Sequence, residues 1–142
     1  MLRVVVVALF MMMLLLPGNI RAQWPSDAAQ NLIIGYGQFP ELCGDNVGGA
    51  YVTHELGITY PRSLVMARVN ASGVLPWSNA VHISGELPQQ WYAQLIEDRA
   101  GGAIVAYHDV AESGTPHLVT FIDRIRLQRV DSTGNLLWGV NG

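Results

Sequence analysis

The chain has 142 residues, half of them hydrophobic, with 8 basic side chains against 11 acidic ones and a formal net charge of −3. That length bounds one domain, and the negative balance leaves no electrostatic case for binding nucleic acid or an anionic membrane surface. Cys43 is the only cysteine, which excludes an intramolecular disulfide.

The apolar excess sits at the front. Met1-Leu2-Arg3 supplies a positive start, Val4 to Leu16 is an unbroken apolar run, Pro17-Gly18 breaks it, and Ile20-Arg21-Ala22 ends in a small residue suited to signal peptidase. Residues 1–22 therefore read as a secretory signal peptide, since the run is shorter than the roughly 20 residues a membrane-spanning helix needs. Cleavage after Ala22 removes Arg3 and Arg21 and makes the mature chain more acidic. Its expected location is the periplasm, the extracellular space or the cell surface. There is no lysine; every basic residue is arginine.

Residues 23–39 begin with a loop-like Trp24-Pro25-Ser26-Asp27 and continue into the β-prone run Leu32-Ile33-Ile34, read as the leading strand of a partial unit. Two similar units follow, 40–92 and 93–142. Each opens on an Asp-x-x-Gly-Gly turn, Asp45 to Gly49 (with Gly48 and Gly49) and Asp98 to Gly102 (with Gly101 and Gly102), spaced by 53 residues. The aspartate can accept backbone hydrogen bonds in the turn, and the paired glycines can supply the positive φ of a tight hairpin. Later in each unit comes strand, turn, strand: Leu64 to Trp77 and Ile125 to Trp138, spaced by 61 residues, with Gly73 and Gly134 in equivalent turn positions and Asp131 opening the second turn.

The change from 53 to 61 places extra residues between Asp109 and Arg124, with Ala111 to Pro116 expected as a loop tip. Within the second unit, Leu95–Glu97, Ala103–Tyr107, Ile125–Val130 and Leu136–Trp138 are expected as strands. Val81-His82-Ile83 follows the motif Trp77 as a further β-prone run. No segment has a convincing helical period, so the expectation is an all-β chain of about two four-stranded antiparallel units. Such four-stranded repeats are what blades of a β-propeller look like in sequence.

Asp131-Ser132-Thr133-Gly134-Asn135-Leu136-Leu137-Trp138 resembles the tryptophan-docking turn of pyrroloquinoline-quinone-type propeller repeats, and Asn70 to Trp77 is a weaker match. Asp98 to Asp109 together with Gln128 to Asp131 is also similar to blades of large secreted bacterial repeat proteins, with Tyr107 where those carry Trp. The resemblance implies an incomplete propeller ring, since closed propellers need at least four blades. It also implies structural roles for Asp98, Gly101, Gly102, Asp131, Gly134, Trp138, Gly48, Gly49, Gly73 and Trp77, with the tryptophans packing between blades rather than holding a ligand.

Catalytic chemistry is poorly supported by the residues. Nucleophile-elbow, zinc-ligand and phosphate-loop patterns are missing from the sequence. His54, His82, His108 and His117 are scattered, and His108-Asp109 reads as a solvent-facing polar pair at a strand end. Glu97 and Asp98 are neighbours on opposite faces, so they do not form a carboxylate pair. Cys43 shares its register with Ile96 and is expected to be a buried, inert thiol. Asn70-Ala71-Ser72 is a glycosylation sequon if the source is eukaryotic.

The expected function is a non-enzymatic secreted or surface repeat module for binding, adhesion or structure, one piece of a longer repeat protein, with no catalytic, metal or cofactor residues. Its partners would be further blades of the same or other chains, or a glycan or cell-surface ligand. The alternatives are a small lectin-like protein that closes a ring by oligomerising and a piece of a quinoprotein-like dehydrogenase.

Overall fold

The structure is a computed structural model and describes residues 30–57, 62–84, 89–115 and 118–142. The signal-type segment, the loop from Trp24 to Asp27, Pro116 and His117 lie outside the described residues. Among the described residues the chain is all-β, with two antiparallel sheets that do not close into a ring. The first sheet is β1 (Gln38–Gly44), β2 (Ala50–Leu56), β3 (Ser63–Val69) and β4 (Val81–His82), side by side in chain order. The second is β5 (Gln90–Glu97), β6 (Ala103–Thr115) and β7 (Leu118–Val130), again in chain order.

Period-two alternation explains how the sheets meet. Along β6, Ala103, Val105, Tyr107 and Asp109 are buried, whereas Ile104, Ala106 and His108 between them are half-buried. The buried set faces the first sheet, where Tyr51, Leu64 and Met66 are wholly enclosed; these residues join Ala93, Ala103, Val105, Tyr107 and Val130 in one core. A single apolar seam therefore holds both sheets.

Both first strands carry a bulge at the same place. The pairing slips between Gln38 and Glu41 in β1 and between Trp91 and Gln94 in β5. Phe39 and Tyr92 sit in these bulges with φ of 51° and 53°. Positive φ is uncommon for aromatic residues, and here the bulge re-aims each ring outward, leaving both exposed.

Several expectations are corrected. Leu136–Trp138 is not a strand; only Leu136 forms an isolated bridge, to Val130. The backbone amides of Leu137 and Trp138 donate instead to the Arg129 carbonyl and the Gln128 side chain, so the chain crosses β7 rather than pairing along it. Leu75–Trp77 is likewise outside any strand, and the fourth strand of the first sheet is β4, beyond Trp77. Leu32-Ile33-Ile34 forms no strand. Ala111 to Thr115 is not a loop tip, because β6 continues through it and pairs with β7 from Val110 opposite Asp123 to Thr115 opposite Leu118.

Candidate functional site: the seam and the open face

The turns that carry the motif are built from local hydrogen bonds. Asp45 Oδ1 accepts the backbone amides of Val47 and Gly49, and Asp98 Oδ1 accepts those of Ala100 and Gly102. The other carboxylate oxygen of each meets an arginine on the third strand of its sheet: Arg68 at 2.9 Å from Asp45 and Arg129 at 2.7 Å from Asp98. Burial alone would raise both carboxyls, but these arginine and amide bonds outweigh it and hold them below the usual aspartate range.

Only the first glycine of each pair has the positive φ expected of both, 91° at Gly48 and 87° at Gly101. The second glycine is needed for space. A Cβ on Gly49 would lie 2.3 Å from the Val69 carbonyl oxygen, and one on Gly102 would lie 2.3 Å from that of Val130. The remaining positive φ falls on Asn46 and Arg99.

The strand-to-loop turns are equally alike. Asn70 Oδ1 accepts the amides of Ser72 and Val74, and Asp131 Oδ1 accepts those of Thr133 and Asn135. Gly73 and Gly134 both take positive φ, 74° and 94°. Asp131 also accepts the Thr133 hydroxyl and the Asn135 amide group, and these bonds hold its carboxyl far below the usual range.

Trp77 ties the first sheet to the second. Its indole Nε1 donates to the Ser132 carbonyl at 3.1 Å, its ring lies against Gly134, and the Arg68 guanidinium reaches the same carbonyl at 3.1 Å. Tyr51 stacks at 5.9 Å from Trp77 and donates its hydroxyl to the Gly101 carbonyl. The buried Glu55 carboxylate accepts the bulge amide of Tyr92 at 3.0 Å and pairs with Arg62. The bonds of Trp77 and Arg68 to Ser132, of Tyr51 to Gly101 and of Tyr92 to Glu55 join the first sheet to the turns and bulge of the second.

Trp138 stands at the corresponding position of the second unit and is 44% exposed. On the outer face of the second sheet Ile96, Ile125 and Leu127 are exposed. Pairing in the second sheet sets Ile104 opposite Arg129, Ala106 opposite Leu127 and His108 opposite Ile125. The enclosed face of the first sheet has the same frame, with Tyr51 opposite Arg68, Thr53 opposite Met66 and Glu55 opposite Leu64. The outer face of the second sheet thus corresponds, pair by pair, to the face of the first that the second covers.

The remaining polar groups serve structure. His108 is half-buried rather than solvent-facing, stacks 5.7 Å from Trp91, and has a buried Nδ1 without a partner among the described residues. Asp109 is fully buried and accepts from Arg124 and Arg126 at 2.8 and 2.7 Å. The sequence signal for this cluster was the alternation of Arg124 and Arg126 on a strand that pairs with Asp109. Cys43 is half-buried against the core, and burial pushes its thiol up. Among the described residues no three histidine, cysteine or carboxylate side chains gather as metal ligands. Compared with known proteins, the chain matches no family model, no curated protein and no solved structure.

Proposed function

We propose that the chain is a non-enzymatic β-propeller-type repeat module of a secreted or cell-surface protein, with a binding, adhesive or structural role. The observation that carries this reading is the position of Trp77. The most recognisable aromatic of the motif lies in the seam, donating to Ser132 and packed on Gly134 and Tyr51, so its surface serves sheet-on-sheet packing rather than a ligand. The apolar N-terminal run supports the secreted location. Further sheets of the same kind are the partners this geometry favours.

A carbohydrate-binding reading has one observation in its favour, the cluster of Trp91, Tyr92 and His108, in which Tyr92 is 70% exposed. A glycan array with the secreted chain separates the two. The module reading expects no saturable binding, whereas binding that is lost in Tyr92→Ala would establish the lectin reading. Addition of pyrroloquinoline quinone with calcium is expected to leave the quinone spectrum unchanged; a shifted, protein-dependent spectrum would return the chain to the quinoprotein-like enzymes.

A further inference from the structure

We propose that residues 34–37 are a strap over the outer face of the first sheet, held shut on neutral His54 and lifted when that side chain takes up a proton, so that an apolar face is uncovered in a mildly acidic medium. The strap works on the same terms whether or not the module reading holds.

Alternation along β2 and β3 puts His54, Val65, Ala67 and Val69 on the side of the first sheet that faces away from the second, and all four are buried within the one chain. Residues 34–37 pass over that side. The His54 imidazole lies directly against Gly35 and Gly37: a Cβ on Gly35 would stand 2.7 Å from its Cε1 and Nε2, and one on Gly37 2.5 Å from its Cδ2. Farther along, Ile34 meets Ala67 and Leu75 around a small cavity. The cover is a single layer, because Gly35, Tyr36 and Gly37 are exposed to solvent. Among the described residues no backbone hydrogen bond ties 34–37 to the sheet, so its hold is the fit of two glycines on one ring. At the 53-residue spacing, the counterparts of Val52 and His54 are Val105 and Tyr107, which are buried in the core shared with the first sheet. A whole sheet therefore stands in the second unit where a strap stands in the first.

Charge is what this cover does not tolerate. Val65 lies opposite His54 on β3, and the strap brings only glycine and the exposed phenol of Tyr36. On β1, Glu41 pairs with Thr53 and so lies on the other side of the sheet; Glu55, next along β2, also points to the inner face, where it accepts the Tyr92 amide. His82, opposite Val65 on β4, is exposed on the same side as His54 and in acid adds like charge. Among the described residues no carboxylate compensates an imidazolium at His54, and burial alone lowers its pKa. Opening the strap returns the ring to the ordinary 6.5, so the closed form is favoured above that pH and acid favours the open one. The opening equilibrium rises by up to about tenfold for each pH unit below that value. Lifting one exposed layer hydrates the imidazolium at less cost than breaking the β2 ladder.

The test reads the uncovered face with Nile red, a neutral dye, on the full chain from a secreting host at pH 7.5 and 5.5. The wild type is expected to show a rise in dye fluorescence at pH 5.5 with circular dichroism unchanged. His54→Gln is expected to remove the rise, and His82→Gln to keep it. Gly37→Ala, whose Cβ would press on the Glu55 carbonyl and the His54 ring, is expected to be raised at both pH values. A flat wild type, a rise that survives in His54→Gln, a rise that comes with loss of circular dichroism, or a Gly37→Ala chain that matches wild type at pH 7.5 would each overturn the proposal. The wild-type and Gly37→Ala measurements decide it even if His54→Gln fails to fold. None of these results touches the module reading, which stands or falls on the glycan and quinone experiments.

Discussion

The Trp77 indole donates to the Ser132 carbonyl across the seam, while Trp138, at the same place in the next unit, meets no third sheet among the described residues and keeps 44% of its surface exposed. Equivalent positions in sequence therefore have unequal energetic weight. Trp77→Ala is expected to cost about 3 kcal/mol, the lower end of the range for large aromatic truncations because the ring is half-buried. Trp138→Ala is expected to stay within about 0.5 kcal/mol for the single chain, as surface substitutions do. Urea denaturation of both variants, compared with wild type under conditions where each is monomeric, checks the difference; equal midpoints would show that Trp77 does not hold the seam.

The turn glycines give a second contrast. Gly102→Ala would force a Cβ to 2.3 Å from the Val130 carbonyl oxygen and 2.9 Å from the Asp98 carboxylate, both parts of the hairpin's own framework. The neighbouring strand cannot move without losing its ladder, so a destabilisation of about 1–3 kcal/mol is expected. Gly44→Ala meets open space and does not require a left-handed backbone, so it is expected to be nearly neutral. Thermal melts of the two variants decide it, and a tolerant Gly102→Ala would mean that the turn is looser than the bonds of Asp98 imply.

Acid is expected to destabilise the fold in two stages. Burial lowers the His54 pKa from its ordinary 6.5, so below that pH the unfolded imidazole takes up a proton while the folded one stays neutral. Stability is then complete above about pH 6.5 and falls as the pH drops toward the folded value. Asp45, Asp98 and Asp131 are all held below the ordinary 3.8, so their contribution is present above about pH 4 and is lost below it as the unfolded chain protonates first. Urea midpoints at pH 7.5, 5.5 and 3.5 should fall in that order, and His54→Gln should remove the first fall while keeping the second. A wild-type midpoint unchanged between pH 7.5 and 5.5 would contradict the assignment to His54.

What could be read in the sequence was whatever a few adjacent residues decide. Asp98, Gly101 and Gly102 close their turn with bonds spanning four positions, and the alternation from Ala103 to Tyr107 sets which side is buried. The all-β class followed from such segments. Features set by distant partners were not legible. Leu136-Leu137-Trp138 has strand composition, but the Gln128 side chain and the Arg129 carbonyl capture its amides and turn it across the sheet. Nothing in Phe39 or Tyr92 signals a positive φ, because the bulge is imposed by pairing with β2 and β6. Gly48 and Gly49 looked interchangeable, whereas one serves conformation and the other the approach of the Val69 carbonyl.

The 53-to-61 change of spacing also resolves into geometry, and it yields the last prediction. Strand β5 pairs with β6 as far as Gln90 opposite Asp109, with one further bond from the Val110 amide to the Gln89 carbonyl, yet β6 and β7 continue together to Thr115 and Leu118. Beyond Val110 the sheet narrows, among the described residues, to a two-stranded ribbon. Among the described residues no third strand runs beside this ribbon, so its hydrogen bonds should open locally without unfolding the sheet. Amide hydrogen exchange is expected to be faster by at least about tenfold in the ribbon pairs than in the three-stranded part, because an opening free energy only about 1.4 kcal/mol smaller already gives that factor. The comparison is clean because both stretches lie on the same strand: Glu112, Ser113 and Gly114 against Val105, Ala106 and Tyr107. Replacing Ala111 to Ile122 with a two-residue turn should leave the melting temperature nearly unchanged and keep the slow exchange at Val105. Uniform protection along all of β6, or loss of the fold on shortening, would show that the ribbon is held by contacts beyond its own ladder.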